Sequence, residues 1–395
     1  MKRLNNPQRL VDRKWSGKLD RNFPWLYHLI RRWEFPQSYT PEVVASDQVK
    51  KLQANYCTAY LEKIGEVKQF SNAAPLQVPL SYMPITKNVR QLATALHHAT
   101  SMGRSFEIAR ENPREERLFA SQQKGDWHPW LWSRGKKAKD LIKANGGPDA
   151  NPLPEESWNA YFKDSPPTNL GEPKLMTTSG EKLPAWHRTL LEMAICTAQI
   201  FDLSDSVQRR IDEWGAMIDW PKDEPVLGIH IRRGDAADED LKQTTRSSAV
   251  LNDYLAAADR LVATNNIRTI YLSTESTSEI EQARKACSEY RILSLPHDRS
   301  VFPVIANDSR FIEDVAWEQP EIIDQIVMSS LADLYFLSQC KAFIGTLNSE
   351  FSMLGWLLCI GHHQHLIPYV DMIPRSQYRN YQGNLRFWMD APLNC

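Results

Sequence analysis

Between residues 225 and 361 the chain alternates strictly between short apolar runs and helical stretches, and this alternation constrains the fold more than any other feature. PVLGIHI (225–231) reads as a strand, SAVLNDYLAAADRLVATN (248–265) as a helix, IRTIYLST (267–274) as a strand and SEIEQARKACSEY (278–290) as a helix. RILSLP (291–296) makes a further strand, followed by an irregular stretch from His297 to Glu318. PEIIDQIVMSSLADLYFLSQC (320–340) is then a helix, KAFIGT (341–346) a strand and EFSMLGWLLCIG (350–361) a helix. Such alternation predicts a doubly wound parallel sheet, and such sheets bind ligands outside the carboxyl ends of their strands.

Upstream the pattern is looser. VVASDQVKKLQANYCTAYLEKI (43–64) reads as a helix, and NVRQLATALHHATSMGRSFEIA (88–109) as a helix that gives way to a strand after Gly103. Residues 110–183 are rich in Trp, Lys and Pro and read as an insertion or long surface connection. One long helix is predicted from Pro184 to Met217, and WPKDEP (220–225) ends it. A chain of 395 residues suits two domains. We divide them there: an N-terminal α/β unit over 1–220, with a helical extension and the insertion, and a C-terminal doubly wound unit over 221–395.

Lys plus Arg (47) nearly cancels Asp plus Glu (48), so no general nucleic-acid or anionic-membrane surface is implied. The six cysteines form no CxxC pair and have no His at ligand spacing, which argues against structural zinc. Spacing does not choose between free thiols and disulfides. The longest apolar run, MLGWLLCI (353–360), is too short to span a bilayer, so the expectation is a soluble protein. The sequon at Asn307 matters only in a secretory lumen.

The chemistry-bearing residues stand at predicted strand ends. HIRRGD (230–235) places His230 and Arg232 on one face of the first strand and Arg233 on the other. Two adjacent guanidinium groups suit phosphate, or else bridge local carboxylates such as Asp235 and Asp238. RGD itself abuts an apolar run and is not read as an adhesion tripeptide. TIYLSTES sets Thr274 and Glu275 at the sheet rim, to hold a ribose or base or to start a helix. At AFIGTLNSEF, Asn348 and Ser349 cap the following helix or use its free N–H groups to hold an anion. Asp333 is a carboxylate inside an apolar helix, which needs a donor if buried. No GxGxxG and no GxxxxGK[ST] occurs, so a nicotinamide oxidoreductase lacks its glycine fingerprint.

Taken in order, HIRRGD, YLSTE and DLYFLSQCKAFIGTLNS resemble the α-1,6-fucosyltransferases of N-glycan cores and the related nodulation fucosyltransferases. In that family a HxRR strand end, a YLATDD strand and a DxHFLS…TFSS segment assemble the GDP-fucose site of a GT-B fold, in which two Rossmann-type α/β domains face a cleft. The likeness extends over roughly 88–360 and is densest from 225 to 358. It implies that Arg232, with Arg233 and Asp235 beside it, grips the β-phosphate, and that His230 and Asp333 contact guanine. It also implies that Asn348 and Ser349 bind phosphate and that Thr274 and Glu275 help to hold the donor. The family's acid pair is here Thr274-Glu275, and its TFSS is TLNS. The family's base falls on Asp240, with Glu239 and Asp238 adjoining.

The resemblance implies an inverting, metal-independent transfer of fucose from GDP-fucose to a glycan hydroxyl, with no metal or other cofactor, Arg232 assisting departure and Asp240 or Glu239 as base. A protein O-fucosyltransferase and a noncatalytic GDP-sugar-binding or glycan-binding protein are the alternatives. Residues 297–318 are read as a lid over the donor or a passive loop. Trp127, Trp130 and Trp132 stack on acceptor sugars or pack a core, and of His97 and His98 at least one is structural. The compartment expected is the Golgi lumen if an N-terminal anchor has been removed, and otherwise the cytoplasm.

Overall fold

The structure is a computed structural model of the chain. It describes residues 47–70, 76–78, 85–108, 162–163, 183, 185–233, 249–300, 323–346 and 349–372. The elements before the main sheet are α1 (Asp47–Phe70), β1 (Leu76–Val78), α2 (Ile85–Ser101), β2 (Phe106–Ile108), α3 (Ala185–Ile200) and α4 (Asp205–Met217). The alternating region follows as β3 (Val226–Ile231), α5 (Leu251–Asn265), β4 (Thr269–Thr274), α6 (Thr277–Ala286) and β5 (Arg291–Leu293). It continues as α7 (Ile323–Ser338), β6 (Ala342–Gly345), α8 (Glu350–His363) and β7 (Tyr369–Asp371).

The predicted doubly wound sheet is present. Five parallel strands lie in the order β5-β4-β3-β6-β7, so the winding reverses between β3 and β6. Every residue of β3, β4 and β6 is buried. Strands covered by helices on both faces need apolar side chains on both, which is why VLGIHI and AFIG read as continuous runs. One face sends Leu227, Ile229, Ile270, Leu272 and Ile344 against α5 and α6. The other sends Tyr271, Phe343 and Tyr369 against α7 and α8, in an apolar cluster that continues into α1, α2 and α3 through Cys57, Leu92 and Leu191. Packing thus runs unbroken across Trp220. Upstream, β1 and β2 form a small parallel sheet of their own.

Helix α8 is buried at each position from Ser352 to Gly361. A helix that is apolar all round must be covered all round, and the sheet covers one side while α3 covers the other. Their contact is close: a Cβ added at Gly361 would stand 2.6 Å from the Ala194 carbonyl oxygen and 2.7 Å from Ala198 Cβ. Polar ties join the same layers. The Leu366 N–H donates to Gln53 Oε1 of α1 at 3.0 Å. Glu192 of α3 accepts the Tyr56 hydroxyl and lies 2.9 Å from His97 Nε2, so His97 serves structure, clasping α1, α2 and α3.

The helix predicted over 184–217 is two helices. The chain turns at 201–204, where Leu203 bridges to Phe162, the Lys163 N–H donates to the Asp202 carbonyl at 2.8 Å and Ser204 stands at the N-cap of α4. Burial of Phe201 and Leu203 against Phe162 offsets the helical bonds lost there. Strands β1 and β7 were not predicted. Each is fixed by pairing with a strand elsewhere in the chain. Cys57, Cys196, Cys287, Cys340 and Cys359 are buried free thiols, and Cys395 lies outside the described residues. Among those residues no helix is long and apolar enough to cross a membrane.

Because Gly361 faces backbone, a side chain there must separate α8 from α3. Gly361→Val is expected to lower stability by about 1–3 kcal/mol, the usual cost of overpacking, as measured by urea denaturation. A midpoint equal to wild type would show that the two helices are not in contact.

Candidate functional site

The site residues stand on the carboxyl ends of β3, β4 and β6, on both sides of the place where the winding reverses. In an open α/β sheet that crevice is where ligands bind. Neighbouring strands lie about 4.8 Å apart, so groups on the ends of β3 and β6 can meet one small ligand.

His230, in β3, is buried. Its Nδ1 lies 2.6 Å from Ser352 Oγ, which also accepts the Thr346 N–H at 3.2 Å. The ring stacks obliquely on Phe351 at 4.7 Å. Burial, helped by Arg232 and Arg233, lowers its pKa from 6.5 to about 4, against the pull of Glu275. The imidazole is therefore neutral near pH 7. Ser352 can approach because residue 345 is glycine: a Cβ there would meet Ser352 Oγ at 2.8 Å.

The two arginines end β3 and turn to different glutamates. Arg232 donates from Nη1 to Glu275 Oε1, and the main-chain N–H of Arg233 donates to Glu275 Oε2 at 2.8 Å. The Arg233 guanidinium bonds Glu279 of α6 through Nε at 2.8 Å and through Nη2, and reaches the Ala249 carbonyl at 3.2 Å. Carboxylates of the β4–α6 corner thus hold both arginines. Side-chain exposure separates the roles, at 36% for Arg232 against 22% for Arg233. Thr274 is buried and donates from Oγ1 to Glu279 Oε2 at 3.3 Å.

Asp333 is buried on α7. It accepts the hydroxyl of Tyr271 on β4. Burial raises its pKa from 3.8 to about 6, although Tyr271, Arg299 and Ser273 pull the other way. Ser349 caps α8, accepting the Ser352 N–H at 3.5 Å. Glu350, next along the chain, pairs with Arg90 of α2 at 3.3 Å.

Asp235, Asp238, Glu239, Asp240 and Asn348 lie outside the described residues, as do Trp127, Trp130, Trp132 and Asn307. Of the stretch read as a lid, His297–Ser300 is described and held. Arg299 is buried, with Nε 3.0 Å from the Thr274 carbonyl and Nη1 3.0 Å from that of Leu295. Arg299 and Arg90 escaped the sequence reading, because neither belongs to a motif. A groove of about 410 Å³ between α4, α6 and β5 is lined by Ile280, Arg284, Leu295 and Arg299. It touches neither Arg232 nor Ser349. The Arg232 guanidinium and the start of α8 each favour an anion.

No protein-family model and no curated protein matches the chain. Solved structures similar to it include fucosyltransferases. A crystal structure of NodZ α-1,6-fucosyltransferase soaked with GDP-fucose has 14% identity over 72% of this chain and 93% of that one, with a TM-score of 0.34. Fucosyltransferase NodZ from Bradyrhizobium has 14% identity over 73% and 94%, with a TM-score of 0.33. POFUT1 in complex with GDP has 11% identity over 46% and 51%, with a TM-score of 0.31. Superpositions this loose say nothing of the reaction, and the α/β class stands on the strand order itself.

A neutral buried histidine makes stability depend on pH in one direction. The unfolded ring gains a proton near pH 6.5 while the folded one resists to about 4, so this contribution is complete above 6.5 and is lost as pH falls through that window. His230→Gln should flatten the decline in Tm between pH 6.5 and 4 relative to wild type, as followed by circular dichroism. Parallel curves would contradict a neutral, buried His230.

Proposed function

We propose that the chain is an inverting, metal-independent glycosyltransferase that moves fucose from GDP-β-L-fucose to a hydroxyl of a glycan acceptor, by an α-1,6 link to GlcNAc. The ordered motifs HIRRGD, YLSTE and DLYFLSQCKAFIGTLNS support the family reading. The single observation that carries it is the Arg232 guanidinium, paired with Glu275 and partly open to solvent at the carboxyl end of β3.

In this reading the acceptor oxygen attacks the anomeric carbon from the face opposite the diphosphate. The bond from that carbon to the β-phosphate oxygen breaks, and its electron pair leaves with GDP. Asp240 or Glu239 takes the acceptor's proton. Arg232 and the N-terminal turn of α8 meet the charge that develops on the diphosphate, which is the task a metal performs in other transferases. His230 and Asp333 are assigned to the base, where a neutral imidazole and a carboxyl supply directional hydrogen bonds.

Arg232→Ala should slow GDP-fucose turnover by about 10²- to 10³-fold, measured by mass spectrometry against chitooligosaccharides, N-glycans and peptides. EDTA should leave the wild-type rate unchanged. Full activity of the arginine variant, or loss in EDTA restored by Mn²⁺, would overturn the mechanism. Transfer to peptides alone would assign the acceptor to protein.

A further inference from the structure

We infer that Glu275 serves the diphosphate site through Arg232 and not by touching the donor, and that Glu279 and Arg233 form the footing that holds Glu275. The inference rests on the donor reading above. Both oxygens of Glu275 are engaged within the protein, Oε1 by Arg232 Nη1 and Oε2 by the main-chain N–H of Arg233. Its side chain is 15% exposed, so the outward member of the pair is the guanidinium. A ligand arriving at this edge meets Arg232, with the carboxylate behind it.

The support continues below. Arg233 is fixed by Glu279 through two of its nitrogens and by the Ala249 carbonyl. Glu279 also accepts from Thr274 Oγ1, and its N–H donates to Ser276 Oγ at 3.3 Å, the capping bond of α6. A chain of contacts therefore runs from the cap of α6 through Glu279, Arg233 and Glu275 to Arg232. Each link is a charge-assisted bond or a bond to main chain, the kinds with the most defined geometry.

An unsupported arginine keeps its rotamer freedom, which a ligand must remove on binding. Glu275 holds the Arg232 guanidinium through Nη1. The fork is thereby preorganised for phosphate oxygens, and preorganisation raises affinity by lowering the cost of ordering. Glu275 also places a negative charge near the diphosphate. A carboxylate tied up by a cation and an amide hydrogen opposes the anion much less than a free one would.

The test is a double-mutant cycle read by calorimetry with GDP, using wild type, Arg232→Ala, Glu275→Gln and the double variant, with the Tm of each measured alongside. Glu275→Gln keeps the shape of the side chain, so the fold is retained. It is expected to weaken GDP about tenfold in the wild-type background and less than twofold where Arg232 is already alanine. Glu279→Gln should reproduce a smaller part of the loss and should add little to Glu275→Gln. A residue that only supported the fold would lower Tm without this dependence on Arg232. Equal losses in both backgrounds would show that Glu275 contacts the nucleotide directly, and no loss in either would show that the pair is idle; each result overturns the inference while leaving the donor reading intact. Absence of GDP binding to wild type would instead remove the donor reading, and the inference with it.

Discussion

The architecture depends on covering helix α8. Its sequence, EFSMLGWLLCIGHH, offers water almost nothing between Ser352 and Gly361, so it is stable only when walled in on every side. The sheet supplies one wall through Phe343 and Tyr369, α7 flanks it, and α3 supplies the other across the glycine at 361. The N-terminal helices are therefore part of the sheet's own core, and the strand order alone would leave α8 half exposed. That one requirement fixes where α8 begins, and so where its first-turn N–H groups point.

Function is concentrated on the edge to which α8 delivers that end. Ser352, one turn into the helix, reaches back past Gly345 to hold His230, and so ties β3 to β6 at their carboxyl ends. On the opposite flank the β4–α6 corner holds both arginines through Glu275 and Glu279. The edge is furnished with directional groups that are already satisfied inside the protein. Of the four charged members of that corner Arg232 is the most open to solvent, and this gradient orders them from the surface inward.

The doubly wound half was legible in the sequence because its strands are buried on both faces and its helices are long enough for their period to register. VLGIHI, TIYLST and AFIG needed no structural information to be read as strands. The three-residue strands Leu76–Val78 and Tyr369–Asp371 are defined by pairing with distant neighbours, which no local pattern records. The break at 201–204 escaped for a similar reason, since it depends on Phe162 arriving from another part of the chain. At the site, residue identities were readable and partners were not. Glu275 and Glu279, which hold the two arginines of HIRRGD, come from more than forty residues further on, out of reach of any local pattern. Asp333 stood out as a polar residue in an apolar helix, but the hydroxyl that satisfies it belongs to Tyr271, which had read simply as a strand residue.

The ion pair between Arg90 and Glu350 gives the start of α8 a divided origin. A glutamate in a first helical turn suits the macrodipole, yet it repels an incoming anion from the place where that dipole would attract one. By engaging this carboxylate, a guanidinium from α2 restores the local field in favour of negative charge. The electrical character of one helix end is thus written in two distant parts of the chain, and a change at position 90 alters the field at position 349 without disturbing any residue of the sheet.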